Sequence, residues 1–507
     1  MTARINAMAA ILCGLMFTGC KSTHPYETRM CAVERAYVAS DFDKAASMLE
    51  EGKGILDDGK PRYTEAGDPD GPNRNLYTLE QAVVHLAAGD PASAQEAARV
   101  GGDDLYATYE TFAAETYDTL LGKFSWNDVG AWMFDDWALQ YWGEDYEHVM
   151  TQTLGAMAAL ANDHTDVNPY VHRAAELTDQ FRETARHYAE DPTLELRGTG
   201  AGYYLLGIVH EGDGRTADAR QAFEAAGEIE GVALTEGIAR RSESPQNDTG
   251  VAHVLILGGR APKKVSVEDK DALLKLRLSE LAVDIVEVIL KRHEIRENPI
   301  ELINSVIPPS MSFRVPALEP VPMDFAALRV MTPDGTVAVE AEAISDFEAL
   351  AIHNFASQRD IVIRRTFIRK LIKGVLGELA GRGVQLALDD VDSDLGLAAS
   401  VATKIAGWFW REAETADVRC WHLLPKALYA ARLELPQGQH TIEVQTIDAA
   451  GIPVGPTRSI EIEVWAGEPS YVVGVVPDTK TATVLSTNRP VEPAAVVEPA
   501  DLAEVVP

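Results

Sequence analysis

From about residue 25 to residue 243, apolar side chains recur at intervals of three and four, the period of helices that bury one face. The stretch from Phe124 to Leu160 is the centre of this half. It opens with four of the chain's eight tryptophans, Trp126, Trp132, Trp137 and Trp142. It then becomes helix-periodic, with Val149, Thr153, Leu154, Met157 and Leu160 on one face. Beyond Arg241–Asp248, a polar break, the period changes. Val251 to Leu257 is apolar except for His253, as a strand buried on both faces would be. Ala272 to Leu290 predicts one amphipathic helix, with Ile285 and Ile289 inward and Arg277 and Asp284 outward. Proline-rich chain follows from Pro308 to Pro322, then a hairpin pairs residues 326–331 and 336–341 around Thr332-Pro333-Asp334-Gly335. Two further helices carry Ile368, Leu371, Ile372, Val375 and Leu379, and Ala398, Val401, Ala402, Ile405 and Phe409. Alternating segments near 427–434, 440–447, 457–465 and 470–476 predict a small antiparallel unit.

The first half contains helix pairs. In Tyr203–Ala226, the residues Tyr203, Leu206, Gly207 and His210 take the spacing W-x2-L-G-x2-Y, and Ala219 and Phe223 take A-x3-F. This stretch resembles a tetratricopeptide repeat. Small Gly207 and Ala219 allow two helices to cross, Phe223 fills the space between them, and Gly214 turns the chain. Weaker copies run from Ser40-Asp41-Phe42 to Ala45 and from Gly89-Asp90-Pro91 to Ala94, and Leu154-Gly155 echoes Leu206-Gly207. The irregular spacing predicts a degenerate array of stacked helix pairs with a concave face.

The start of the chain bears on location. Arg4 is the only charged side chain before Lys21, and Ala7–Thr18 is mostly apolar, too short to span a bilayer but suited to a secretory signal. Phe17-Thr18-Gly19-Cys20 then resembles the bacterial lipobox, departing from it at Phe17, where leucine is preferred. The resemblance implies that Cys20 becomes the first mature residue and carries acyl chains such as palmitate. Lys21 at the next position implies the outer membrane, facing the periplasm. An ordinary signal peptide with an incidental cysteine is the plainer alternative. Aspartate and glutamate number 78 against 45 lysines and arginines, a formal net charge of -33. So acidic a surface repels nucleic acid and anionic headgroups, which leaves membrane attachment to lipid. Of the four cysteines, Cys31 and Cys420 remain for the mature protein. They either pair or sit apart as small buried residues, and the second is favoured.

Together with the lipobox, three further segments give a wider resemblance. They are Tyr141-Trp142-Gly143-Glu144-Asp145-Tyr146-Glu147, the Gly259-Arg260-Ala261-Pro262 that ends a strand, and Arg419-Cys420-Trp421-His422-Leu423-Leu424-Pro425 before Leu435-Pro436-Gln437-Gly438-Gln439-His440. With these the chain resembles an uncharacterised family of bacterial lipoproteins with tetratricopeptide-like repeats. That family implies no known catalytic residues.

Other candidate chemistry is thin. Gly198-Thr199-Gly200-Ala201-Gly202 lacks the preceding strand that a dinucleotide site needs. Asp68–Asn73 lacks the oxygen spacing and closing glutamate of a calcium loop. No H-E-x-x-H, C-x-x-C or G-x-S-x-G occurs. The stripe Arg364, Arg365, Arg369, Lys370 and Lys373 is either a solvated face pairing with the chain's own carboxylates, which is favoured, or a contact for an acidic partner. Trp126, Trp132, Trp137 and Trp142 are either core between packed helices or anchors of a partner-binding groove. As a groove, Asp128, Asp135, Asp136, Glu144 and Asp145 would favour a basic ligand.

The expectation is an α+β multidomain chain. Residues 1–19 are a signal peptide, 20–243 a helical-repeat domain, 250–415 a mixed α/β domain, 416–476 an antiparallel β unit and 477–507 a disordered tail. Its expected role is a lipid-anchored, non-enzymatic scaffold without cofactor or metal, binding a protein partner in cell-envelope assembly. An envelope enzyme with its site between the halves, or a glycan-binding module, is the alternative.

Overall fold

The computed structural model describes residues 25–53, 73–120, 140–162, 166–188, 197–230, 248–277, 279–307, 314–381 and 416–487. The chain is mixed α/β, with a helical N-terminal region and several sheets.

Among the described residues eight helices open it: α1 (Pro25–Val38), α2 (Phe42–Lys53), α3 (Arg74–Ala88), α4 (Pro91–Leu120), α5 (Asp145–Ala161), α6 (Val167–Tyr188), α7 (Ala201–Gly212) and α8 (Thr216–Glu230). Each packs on the next in the chain. Small residues set the crossings. A Cβ on Gly207 of α7 would stand 2.6 Å from the Phe223 ring of α8, and one on Gly155 of α5 would collide with the Tyr170 ring of α6. Gly214, at φ 74°, turns the chain between α7 and α8. The glycine run before α7 also has a packing cause: a Cβ on Gly200 would stand 2.5 Å from the Ala226 carbonyl and one on Gly202 2.6 Å from Ala174.

The helices lie on a five-stranded sheet. Its strands are β1 (Thr249–Gly258), β6 (Glu342–Asp346), β7 (Ala427–Pro436), β10 (Pro469–Val476) and β11 (Thr483–Thr487), in the order β11-β10-β1-β7-β6. Central β1 pairs parallel with β10 and antiparallel with β7. Leu255 stands beside Ala430 and Val473, and Leu257 beside Leu428 and Val475; these rows join the helical core. The alternate row of Val254, Ala431 and Val472 faces the other way. There it meets a four-stranded sheet of β4 (Ala327–Met331), β5 (Ala338–Glu340), β8 (Gly438–Ile447) and β9 (Arg458–Val464), order β5-β4-β8-β9. Both faces of β1 are therefore covered, as its mostly apolar run predicts.

β2 (Lys263–Glu268) and β3 (Arg314–Glu319) form a separate ribbon. Between and after them come α9 (Lys270–Arg277), α10 (Glu280–Arg292), α11 (Pro299–Val306) and α12 (Phe347–Gly381). α10, α11 and the later turns of α12 enclose a core of their own around Ile289, Ile303 and Leu371.

Several expectations are corrected. The helix expected over 272–290 is two, because the Ser279 hydroxyl oxygen accepts the Ala282 N–H at 3.3 Å and begins α10 there. Arg277, expected outward, is buried and donates to the Ile307 carbonyl. The proline-rich stretch holds β3, with Pro316 at the sheet's edge opposite Ser266. The four C-terminal strands do not form one unit: β7 and β10 flank β1, while β8 and β9 join the second sheet. Gln437 alone separates β7 from β8, and Gly438 at φ 140° makes the corner. Residues 477–487 of the expected tail are ordered, since β11 pairs with β10. In the basic stripe, Arg369 is buried and Lys370 and Lys373 are half-buried, so these three do not form a solvated face.

Candidate functional site

Two places collect polar groups. The first is the junction where the helices meet the second half. Residues 417–424 lie against the helical region, turning at His422 and Leu423, with their backbone held by helix carboxylates. Glu80 of α3 accepts the N–H of His422 at 2.6 Å and of Leu423 at 2.9 Å. Glu147 of α5 accepts the N–H of Trp421 at 3.1 Å and the Tyr141 hydroxyl at 2.6 Å. Glu147 is also the third residue of a capping box with Glu144, which receives the Lys264 ammonium. The Tyr26 hydroxyl donates to the Cys420 carbonyl at 2.8 Å, and Ala261 N–H to the Leu424 carbonyl at 2.7 Å. Arg419 grips Asp417 with two parallel bonds of 2.9 and 2.8 Å and donates to Asn73 at 3.3 Å. The segments 141–147, 259–262 and 419–425, far apart in sequence, are thus one place in the fold.

The charges there are buried and matched. Burial opposes ionisation of Glu34, but His422 and Lys263 outweigh it and hold the carboxyl at about 2. Burial also opposes the His422 imidazolium, and Cys420 and Glu34 raise it regardless. Burial pushes Glu80 up to about 8. Cys420, His422 and Glu34 line up as a nucleophile, base and orienting carboxylate could, yet all three are buried beneath packed helices. Chemistry on a substrate needs access this set lacks, so the junction is a clasp between the halves. Cys420 is a free thiol, so it does not pair with Cys31.

The second place is a groove of about 700 Å³ with α4 and α6 as walls and α5 as floor. On α4, Glu96, Arg99, Asp103, Tyr106 and Glu110 follow one another at three- and four-residue steps, so they share a face. Gly102 brings that wall onto the floor: a Cβ there would stand 2.7 Å from Thr151. On α6, the Arg173 guanidinium lies 4.5 Å over the Tyr106 ring. Behind it, Tyr109, His148 and Phe181 pack edge to face or tilted, with ring centroids 4.9 to 5.6 Å apart. Burial pushes the His148 imidazole down to about 4, and its Nε2–H donates to the Trp142 carbonyl at 2.8 Å.

The expected site residues stand as follows. Trp142 is half-buried beside the groove's aromatic end, tied to it through His148. Trp126, Trp132, Trp137 and Cys20 lie outside the described residues, as do Asp68–Pro72. Asn73, the last residue of that stretch, is buried at the Arg419 contact. Among the described residues no group of three or more metal-ligating side chains gathers, and no helix is long and apolar enough to cross a membrane.

Compared with known protein families, with curated proteins and with solved structures, the chain matches none. Its function is therefore argued from the groove. The sequence reading missed Glu96, Asp103, Tyr106, Glu110 and Arg173, the residues that shape it. Their signal was there, as a polar stripe at helical spacing along α4.

Proposed function

We propose that this chain is a lipid-anchored scaffold of the outer membrane, facing the periplasm, whose groove captures a protein partner in cell-envelope assembly. In this reading α1–α8 are a degenerate tetratricopeptide-like array. The helix-by-helix stacking, the Gly207–Phe223 crossing and the left-handed Gly214 turn support that assignment. The lipobox-like Phe17–Cys20 supports the anchor, and the family resemblance supports the cellular setting.

The observation that carries the reading is the groove itself. It lies on one side of the stacked helices, is walled by exposed charge and aromatic surface, and lies apart from the buried Cys420–His422–Glu34 set. Such a face binds without transforming its ligand.

A photo-crosslinking side chain placed at Ala92 or Ala107, both exposed in the groove, tests this in cells. The expected result is a defined adduct with an envelope protein from both positions and none from Lys291 on α10. Equal labelling from all three positions, or none from the groove, rejects the reading.

A further inference from the structure

We infer that the protein stands on its membrane on the end where α1, α3 and α5 begin, with the tip of the β2–β3 ribbon set against zwitterionic phospholipid headgroups; this rests on the Cys20 anchor proposed above.

The length of the tether carries the inference. Five residue steps separate Cys20 from Pro25, the first residue of α1. Fully extended, they reach ~18 Å. That is shorter than α1 itself, at ~21 Å, and too short to reach round the molecule to its opposite end.

Contacts within the helical region show what shares the anchored end. The rings of Tyr26 and Tyr77, near the starts of α1 and α3, have centroids 5.6 Å apart. The Asn75 amide donates to the Tyr141 carbonyl, just ahead of α5. The three helices therefore begin together. The opposite end holds Val38 and Ala87, whose carbonyls accept the Thr481 and Thr483 hydroxyls. Asn162, after α5, donates to Gln95 at 2.9 Å and brings the start of α4 to that far end.

The ribbon points to the anchored end. Lys263, where β2 starts, donates to Glu34 at 2.6 Å. From there β2 runs back along α1 toward its first turn. Arg314 stands opposite Glu268 at the tip and acts on Glu27 of that turn: burial pushes the Glu27 carboxyl up, and His422 and Arg314 work against it. On one face of the tip Val267 is 38% exposed. On the other, Arg314 is exposed, its guanidinium braced on the Ser266 hydroxyl and carbonyl at 2.9 Å each. Glu268, and Asp271 just beyond it, are exposed too. An apolar side chain between a guanidinium and carboxylates suits a headgroup that carries both a phosphate and an ammonium. A purely anionic surface fits worse, because a net charge of -33 is repelled by it. In this stance the mouth of the groove at Ala92 and Asp166 points away from lipid, open to a partner.

The test uses full-length acylated protein in vesicles of phosphatidylethanolamine and phosphatidylcholine, a fraction of the lipid carrying a nitroxide on its headgroup. Val267→Cys and Arg314→Cys place a fluorophore at the tip. Ala92→Cys and Lys480→Cys, both at exposed positions, place it at the far end. The parent protein, labelled alike, gives the background. Quenching at the tip should exceed that at the far end by at least ~3-fold, since the two ends are ~20 Å or more apart along the helices. Replacing half the lipid by phosphatidylglycerol should reduce quenching at the tip. Equal quenching at both ends, or stronger quenching at Ala92 and Lys480, overturns the inference while the anchor stands. A rise with phosphatidylglycerol overturns the choice of headgroup. If Cys20 carries no acyl chain and the protein does not float with the vesicles, anchor and stance fall together.

Discussion

Glu80 on the third helix accepts the backbone N–H of His422, 342 residues further along the chain, at 2.6 Å. Its other oxygen takes Leu423. A helix side chain here satisfies the backbone of a turn that has no sheet partner. Removing it leaves two buried donors unpaired, each costing ~1–3 kcal/mol. Glu80→Ala should therefore lower the urea midpoint by a loss on the order of 3 kcal/mol. Burial lifts the Glu80 pKa from 4.5 to about 8 in the folded chain, so the sign is fixed. Its contribution is full below the unfolded pKa and is lost as pH rises through about 8. The alanine variant should have a flatter stability profile between these limits, and an identical slope in both proteins would contradict the assignment.

His148 acts in the opposite direction. Buried and neutral behind the groove, it titrates at about 4 against 6.5 when free. The unfolded chain binds the extra proton, so stability falls as pH drops from 6.5 toward 4, by up to ~3 kcal/mol. His148→Gln should remove this acid-side slope in thermal melts taken from pH 7 to pH 4. If the slope persists, another group carries it.

Gly207→Ala should destabilise the chain although alanine favours helices by ~1 kcal/mol over glycine. The added methyl would press on the Phe223 ring at 2.6 Å, and overpacking of this kind costs ~1–3 kcal/mol. A net loss in melting temperature is expected. Pairing it with Phe223→Leu should recover part of that loss, and a stabilised single variant would show that the crossing has room.

Cys20→Ser should release the protein from the membrane fraction or leave it unprocessed, because stable anchoring takes two or more acyl chains on that thiol. Mass analysis of the mature N-terminal peptide is the check. A thioether-linked diacylglyceryl group on Cys20 supports the anchor, while an unmodified residue or a disulfide to Cys31 rejects it.

What the sequence disclosed follows the range of the forces involved. Gly207, Phe223 and Gly214 were legible because a helix pair is local, and its small-large-turn pattern fits within a few turns. The strand at 251–257 was legible because burial on both faces leaves no polar alternation. The pairing of β10 with β1 was not, because no local property of 470–476 says whether it joins a neighbour in sequence or a strand some 220 residues earlier. The buried carboxylates were hidden by abundance. Among 78 acidic residues, Glu34, Glu80 and Glu147 look like surface charge. Only context marks two of them: Glu80 lies within the largely apolar stretch Leu76–Ala88, beside Gln81, and Glu147 closes a capping box. The tryptophan cluster drew attention by composition, but the groove is shaped by Tyr106, Arg173 and a stripe of ordinary charges, whose meaning depends on α6 lying opposite.

The place of β10 and β11 sets a condition on how the chain is made. The Thr481 hydroxyl donates to the Val38 carbonyl at 3.1 Å, and that of Thr483 donates to Ala87. Ribosomes deliver α1–α8 long before either strand, so the nascent helices keep their sheet-facing apolar side uncovered until β10 and β11 emerge. A product that stops before Pro469 lacks the strand that covers one whole edge of β1, and its helices stay open to chaperones and proteases. Quality control therefore needs no access to the helices to judge them; a cut before Pro469 undoes what was made first.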